Sequence, residues 1–134
     1  MTETSLPLIE WPTSTLKCKV VQLFVQGQAG LATGRVDLKH RTVLAAYLIE
    51  RGIGYDYMRD YDDQNAPELN GRGYRVVGAG LGHFDPRRRF VKFGGDSSGY
   101  GIPISPEHVE ELKRAYPGWT FGSVTPALLN KYRF

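Results

Sequence analysis

Apolar and polar positions along the chain change period several times, and each change marks an element. The run Lys19-Val-Val-Gln-Leu-Phe-Val-Gln26 is rich in β-branched and aromatic residues. A stretch this apolar reads as a strand covered on both faces, hence central in a sheet. Residues 1–18, broken by Pro7 and Pro12, read as a tail, and Gly27 to Gly34 as a glycine-containing loop. A helix is expected over Asp37 to Arg51, capped by Asp37 and stopped by Gly52. Its buried stripe is Val43, Leu44, Tyr47 and Leu48 at helical spacing, and His40 lies on that stripe one turn earlier, pointing inward.

Tyr55, Tyr57, Arg59 and Tyr61 then alternate with Asp56, Met58 and Asp60, the pattern of an edge strand with one aromatic face. Residues 62–73 are polar, with Asn70-Gly71 as a turn signal. Tyr74 to Gly80 and Arg89 to Phe93 read as paired strands joined through Asp85-Pro86. The second helix is well punctuated. Ser105 caps it, Pro106 takes its first position, and Ile104 is placed to staple onto Val109. Val109, Leu112 and Tyr116 face the core, His108 is expected at the surface, and Pro117-Gly118 ends the helix before a last strand, Trp119 to Val124. The order β-α-β-β-β-α-β predicts an α/β (α+β) fold: one domain over 19–134, with a mixed sheet and two main helices.

Composition agrees with that picture. A chain of 134 residues with 41% hydrophobic and 23% charged residues can bury one core. The single cysteine, Cys18, excludes an internal disulfide and fits a reducing compartment. No apolar run approaches the roughly 20 residues of a membrane span. The first twelve residues lack a basic segment followed by an apolar one. A cytoplasmic protein without a membrane partner is therefore expected. A net charge of +3 and a pI near 9.1 lean toward anionic partners.

The densest chemical signal is Gly94-Gly95-Asp96-Ser97-Ser98-Gly99-Tyr100-Gly101, with four glycines and two serines in eight residues. Glycines let backbone N–H groups approach an anion, and serine hydroxyls add neutral donors. Such a loop suits a phosphate, and it equally suits a plain turn between strand and helix. The lysine-bearing nucleotide loop is absent. His40, near a helix N-terminus, sits where anions are attracted and imidazolium is disfavoured, so it could act as a general base or simply pack on the core. Lys19 opens a strand from which its ammonium could reach the same anion, or remain solvated. His83 reads as a turn residue. Arg87, Arg88, Arg89 and Lys92 form a basic hairpin tip. The cysteine and three histidines show no metal-ligand spacing, and no serine-hydrolase elbow is present.

Taken together, these residues resemble the Janus/Ocnus, or phosphohistidine phosphatase, family. Gly95, Ser97, Tyr100 and Gly101 match its Gly-x-Ser-x-x-Tyr-Gly loop, and Tyr116-Pro117 with Trp119 match the helix end and aromatic strand that follow. Val77-Gly-Ala-Gly80 and His83 look like its glycine-rich strand, Lys19 to Val25 like its lysine-led strand, and His40 like the histidine opening its first helix. Asp96 replaces an aromatic residue, Lys39 and Arg41 replace an aromatic residue and an alanine around the histidine, and 53–73 has no counterpart. The resemblance implies that His40 is the general base and that Lys19 neutralises phosphate charge. It implies a cradle of Ser97 with the N–H groups of Arg41, Ser98 and Gly99, and no cofactor or metal.

Three functions remain open on this basis. One is a metal-free hydrolase releasing phosphate from phosphohistidine on a protein or from a small phosphoramidate. Another is a non-catalytic module of the same fold that holds a phosphorylated protein. The third is a nucleic-acid-binding domain using Arg87 to Lys92 and the tyrosines at 55, 57 and 61.

Overall fold

The structure, a computed structural model, describes residues 7–57, 66–97 and 100–123. Strand β1 (Leu16–Val25) lies inside the sheet, second from its edge, as its apolar run requires, with β2 (Gln28–Gly34) on one side and β3 (Tyr74–Asp85) on the other. Beyond β3 come β4 (Phe90–Gly94) and β7 (Thr120–Ser123), giving a five-stranded sheet ordered β2-β1-β3-β4-β7. All neighbours are antiparallel except β4 and β7, so the sheet is mixed, as expected. A short ladder of β5 (Asp96–Ser97) and β6 (Ile102–Pro103) stands apart from it.

Alternation along β1 divides the interior in two. Val21, Leu23 and Val25 pack with Val43, Leu44, Tyr47 and Leu48 of helix α1 (His40–Glu50). Cys18 and Val20 face the other way, packing with Phe84, Val91, Phe93 and Phe121 and with Val109 and Leu112 of helix α2 (Pro106–Ala115). One helix therefore covers each face of the sheet. Cys18 lies deep in the second cluster, where burial pushes its thiol up to about 12.

Several expectations need correction. Gly27 to Gly34 is not a loop: Val25 pairs with Gln28 across a two-residue turn, and 28–34 is a strand. Gln26 and Gly27 both have positive φ, 51° and 80°, as a tight hairpin turn requires. The small residues that hid this strand serve the helix beside it. A Cβ at Gly34 would collide with Val43, and one at Gly30 would press on the Tyr47 hydroxyl. Asp37 does not cap α1; it pairs with Arg35, and Lys39 occupies the cap position, its side chain making no capping bond to the helix. Helix α1 thus begins at His40. The expected tyrosine strand is represented by one bridge, Tyr57 to Pro67, and residues 58–61 lie outside the described residues.

The packed unit also begins before Lys19. Ile9 is buried against Leu31, and Trp11 stacks on Trp119 at 4.2 Å between centroids. Arg51 binds the Pro7 carbonyl and lies 3.7 Å over the Tyr47 ring, pinning this segment to the end of α1. In α2, Ser105 caps the helix by accepting the His108 N–H, and Pro106 opens it, as expected.

His108 overturns its expectation. It is 0% exposed rather than at the surface, because the helix turns its first-turn face onto β1. Burial lowers its pKa, opposed by carbonyls of Leu23 and Gly30 and by Glu111. A lowered folded pKa means that the unfolded chain binds the proton more readily, so stability should fall as pH drops below about 6.5. Urea midpoints measured at pH 7.5 and 5.0 should show this loss. His108→Phe should flatten the dependence.

Candidate functional site

The sheet register assembles one row of residues. Gly34, Lys19, Leu81 and Gly94 stand opposite one another across β2, β1, β3 and β4. Lys19, in the body of β1 rather than at its start, points to the α1 side, and α1 begins just beyond the end of β2. His40 opens that helix and is buried, with its Nε2 2.8 Å from the Gly80 carbonyl oxygen. A carbonyl can only accept, so Nε2 carries the hydrogen and donates it. In the neutral ring Nδ1 is then the acceptor, left with a lone pair to take a proton. The Thr42 and Val43 N–H groups make the first intrahelical bonds, to the Lys39 carbonyl, and those of His40 and Arg41 precede them at the positive end of the dipole.

The small-residue loop leaves β4 beside this row. Gly95 and Gly101, with φ of 77° and 68°, adopt backbone that a side chain would resist; the first stands just before β5 and the second just before β6. Ser97 closes the turn between them. Its carbonyl accepts the Gly101 N–H at 2.6 Å, and its hydroxyl oxygen accepts the Tyr100 N–H at 3.1 Å. Ser97 is buried, and its hydrogen bonds shape the loop. Ser98 and Gly99, expected as donors, lie outside the described residues. Tyr100 anchors the far side, donating its hydroxyl to the Pro67 carbonyl at 2.9 Å within the α1-side cluster.

Strand β3 allows the loop to lie this close. A Cβ at Gly80 would strike the Gly94 carbonyl and Ile104, and one at Gly78 would strike the Gln22 amide and Ser105. The glycine-rich strand is therefore the surface over which the loop is laid, and the Gly80 carbonyl also orients His40.

Burial is the main cause lowering the pKa of His40, and Lys19 acts in the same direction, against the Gly80 carbonyl and Asp96. The ring is therefore neutral at neutral pH, as a base must be. Asp96 is exposed. Asp37 is held below the usual carboxylate range, chiefly by Arg35, with Lys19 contributing. The structure thus brings His40, Lys19, Arg41 and the start of the loop to one end of α1. It leaves Arg87, Arg88 and Arg89 exposed on the β3–β4 turn, while His83 lies exposed within β3. Sequence reasoning missed the roles of Gln22 and His108, which hold the loop's exit. A polar residue interrupting an apolar strand was the available signal for Gln22.

Among the described residues, no group of three or more His, Cys, Asp or Glu side chains is placed to hold a metal ion. No family model and no curated protein matches this chain. The Janus/Ocnus likeness therefore rests on the residues quoted above.

Two outcomes test this geometry. Gly80→Ala should destabilise the protein by about 1–3 kcal/mol through overpacking, measured by urea unfolding. In nitrogen-edited NMR, His40 should show the Nε2–H tautomer and titrate below about 6.5, the ordinary histidine value. A ring protonated on Nδ1 instead would contradict the Gly80 bond.

Proposed function

We propose that this protein is a phosphatase that hydrolyses a P–N bond, with phosphohistidine on a protein as the substrate class. The observation that carries the reading is the Nε2 donation from His40 to Gly80, which leaves Nδ1 as a base at an anion-attracting helix end beside Lys19. A phosphoryl group seated between the loop and the start of α1 would have its charge met by Lys19 and by backbone N–H groups, including that of Arg41. Nδ1 takes a proton from water as the water oxygen bonds to phosphorus. The P–N bond breaks with its electron pair going to nitrogen, which takes up a proton from solvent as it leaves. His40, Lys19 and the backbone N–H groups supply the base and the charge stabilisation in this scheme.

The test is phosphate release from phosphohistidine by the purified protein in excess EDTA. Wild type should turn over, and His40→Ala should lose about a hundredfold or more of kcat while remaining folded. Lys19→Ala should mainly raise KM. Because the base form of His40 exists above its lowered pKa, kcat/KM should climb with pH to a plateau reached by about pH 7. Unaltered turnover in His40→Ala would remove it as the base. Phosphate binding without any turnover would indicate a module that holds phosphorylated protein.

A further inference from the structure

We propose that Gln22 and His108 are positioning residues that lock the exit of the anion loop onto strand β1. This inference rests on the reading of that loop as a phosphate cradle.

Gln22 stands in the middle of β1, among residues otherwise chosen for a core, and it is 0% exposed. Its amide pairs with one residue at both ends. Oε1 accepts the Ser105 N–H at 2.6 Å, and Nε2 donates to the Ser105 carbonyl at 3.1 Å. The second Nε2 hydrogen points to His108 Nδ1 at 3.3 Å, and His108 Nε2–H donates to the Leu23 carbonyl at 3.0 Å. Each side-chain donor of the pair has a partner, and so do the Gln22 oxygen and the His108 Nδ1 lone pair. A neutral His108 protonated on Nε2 is the one form that fits all these bonds.

Ser105 is where the loop ends and α2 begins. Its entry is fixed as the continuation of β4, and its interior by Ser97. The exit is tied to β1 by Gln22, through both backbone groups of Ser105. Opposite Gln22, β3 carries an extra residue, Val77, so that Gly78 is the partner and no side chain blocks the amide. Counted as whole residues, four polar ones are buried among the described residues: Gln22, His40, Ser97 and His108. Each serves the loop or the base beside it. A polar group is costly to bury, and an apolar residue would fill the position of Gln22 as well. What the amide adds is a defined place for Ser105, and through the β5–β6 ladder for Ser97.

Gln22→Met keeps the volume and removes both hydrogen-bonding functions. Three measurements follow: urea unfolding, inorganic phosphate affinity by NMR titration, and amide hydrogen exchange. Gln22→Met should weaken phosphate binding by about tenfold and speed exchange at Tyr100, Gly101 and Ser105. Leu112→Ala, on the same side of the sheet but away from Ser105, should lower stability and leave phosphate affinity unchanged. A folded Gln22→Met that binds phosphate like wild type overturns the proposal, as does an equal loss of affinity in Leu112→Ala. If wild type binds no phosphate, the cradle reading fails by itself. The lock then stands or falls on whether exchange at Ser105 accelerates in Gln22→Met. Should that variant not fold, slow exchange of Ser105 in wild type, comparable to Val20 and Leu23, supports the lock. Exchange as fast as at Gly27 refutes it.

Discussion

A strand stripped of side chains is the constraint on which the site depends. On the side of β3 that faces α2, positions 78, 80 and 82 are all glycine, and a Cβ at the first two would collide with the loop or with the side chain that tethers it. The bare backbone lets the chain leaving β4 cross in contact with β3 and continue into α2. It also brings the Gly80 carbonyl within reach of His40 from the α1 side. Loop and histidine are therefore referred to the same short piece of backbone. A shift there moves both together, and their relative placement is preserved.

That arrangement carries polar groups into the interior, and the structure satisfies each of them. No buried side-chain nitrogen or oxygen among the described residues lacks a hydrogen-bond partner. The distribution is uneven. The outer part of α2 relies on apolar packing and exposed ion pairs such as Lys113–Glu110. Buried hydrogen bonding between side chains and backbone is concentrated around β1, β3 and the loop. Hydrogen bonds are directional where apolar contacts are not, so specificity of position is concentrated where the loop needs it.

Much of the architecture was legible because its signals are local. The β1 run, the Ser105-Pro106 helix start and the Asp85-Pro86 turn each depend on a few adjacent residues. The elements that were misread depend on distant ones. Strand β2 looked like a loop because its glycines answer to Val43 and Tyr47 across the interface. Asp37 looked like a cap because nothing in the sequence says that Arg35 would take it. His108 looked exposed because its partners, Gln22 and Leu23, lie more than eighty residues away. For the site, periodicity alone turned His40 inward. Its tautomer required the position of Gly80, which only the sheet register supplies.

Cys18 gives the fold a further property. A thiol reacts as its thiolate, and this one is packed among Val20, Phe84 and their neighbours with its ionisation strongly suppressed. Alkylating reagents and oxidants must wait for the α2 side of the sheet to open before they can reach it. The rate of its modification therefore clocks the opening of that layer, using an atom already in the chain. Because α2 and the loop exit rest on this layer, the same clock reports how long the loop keeps its shape.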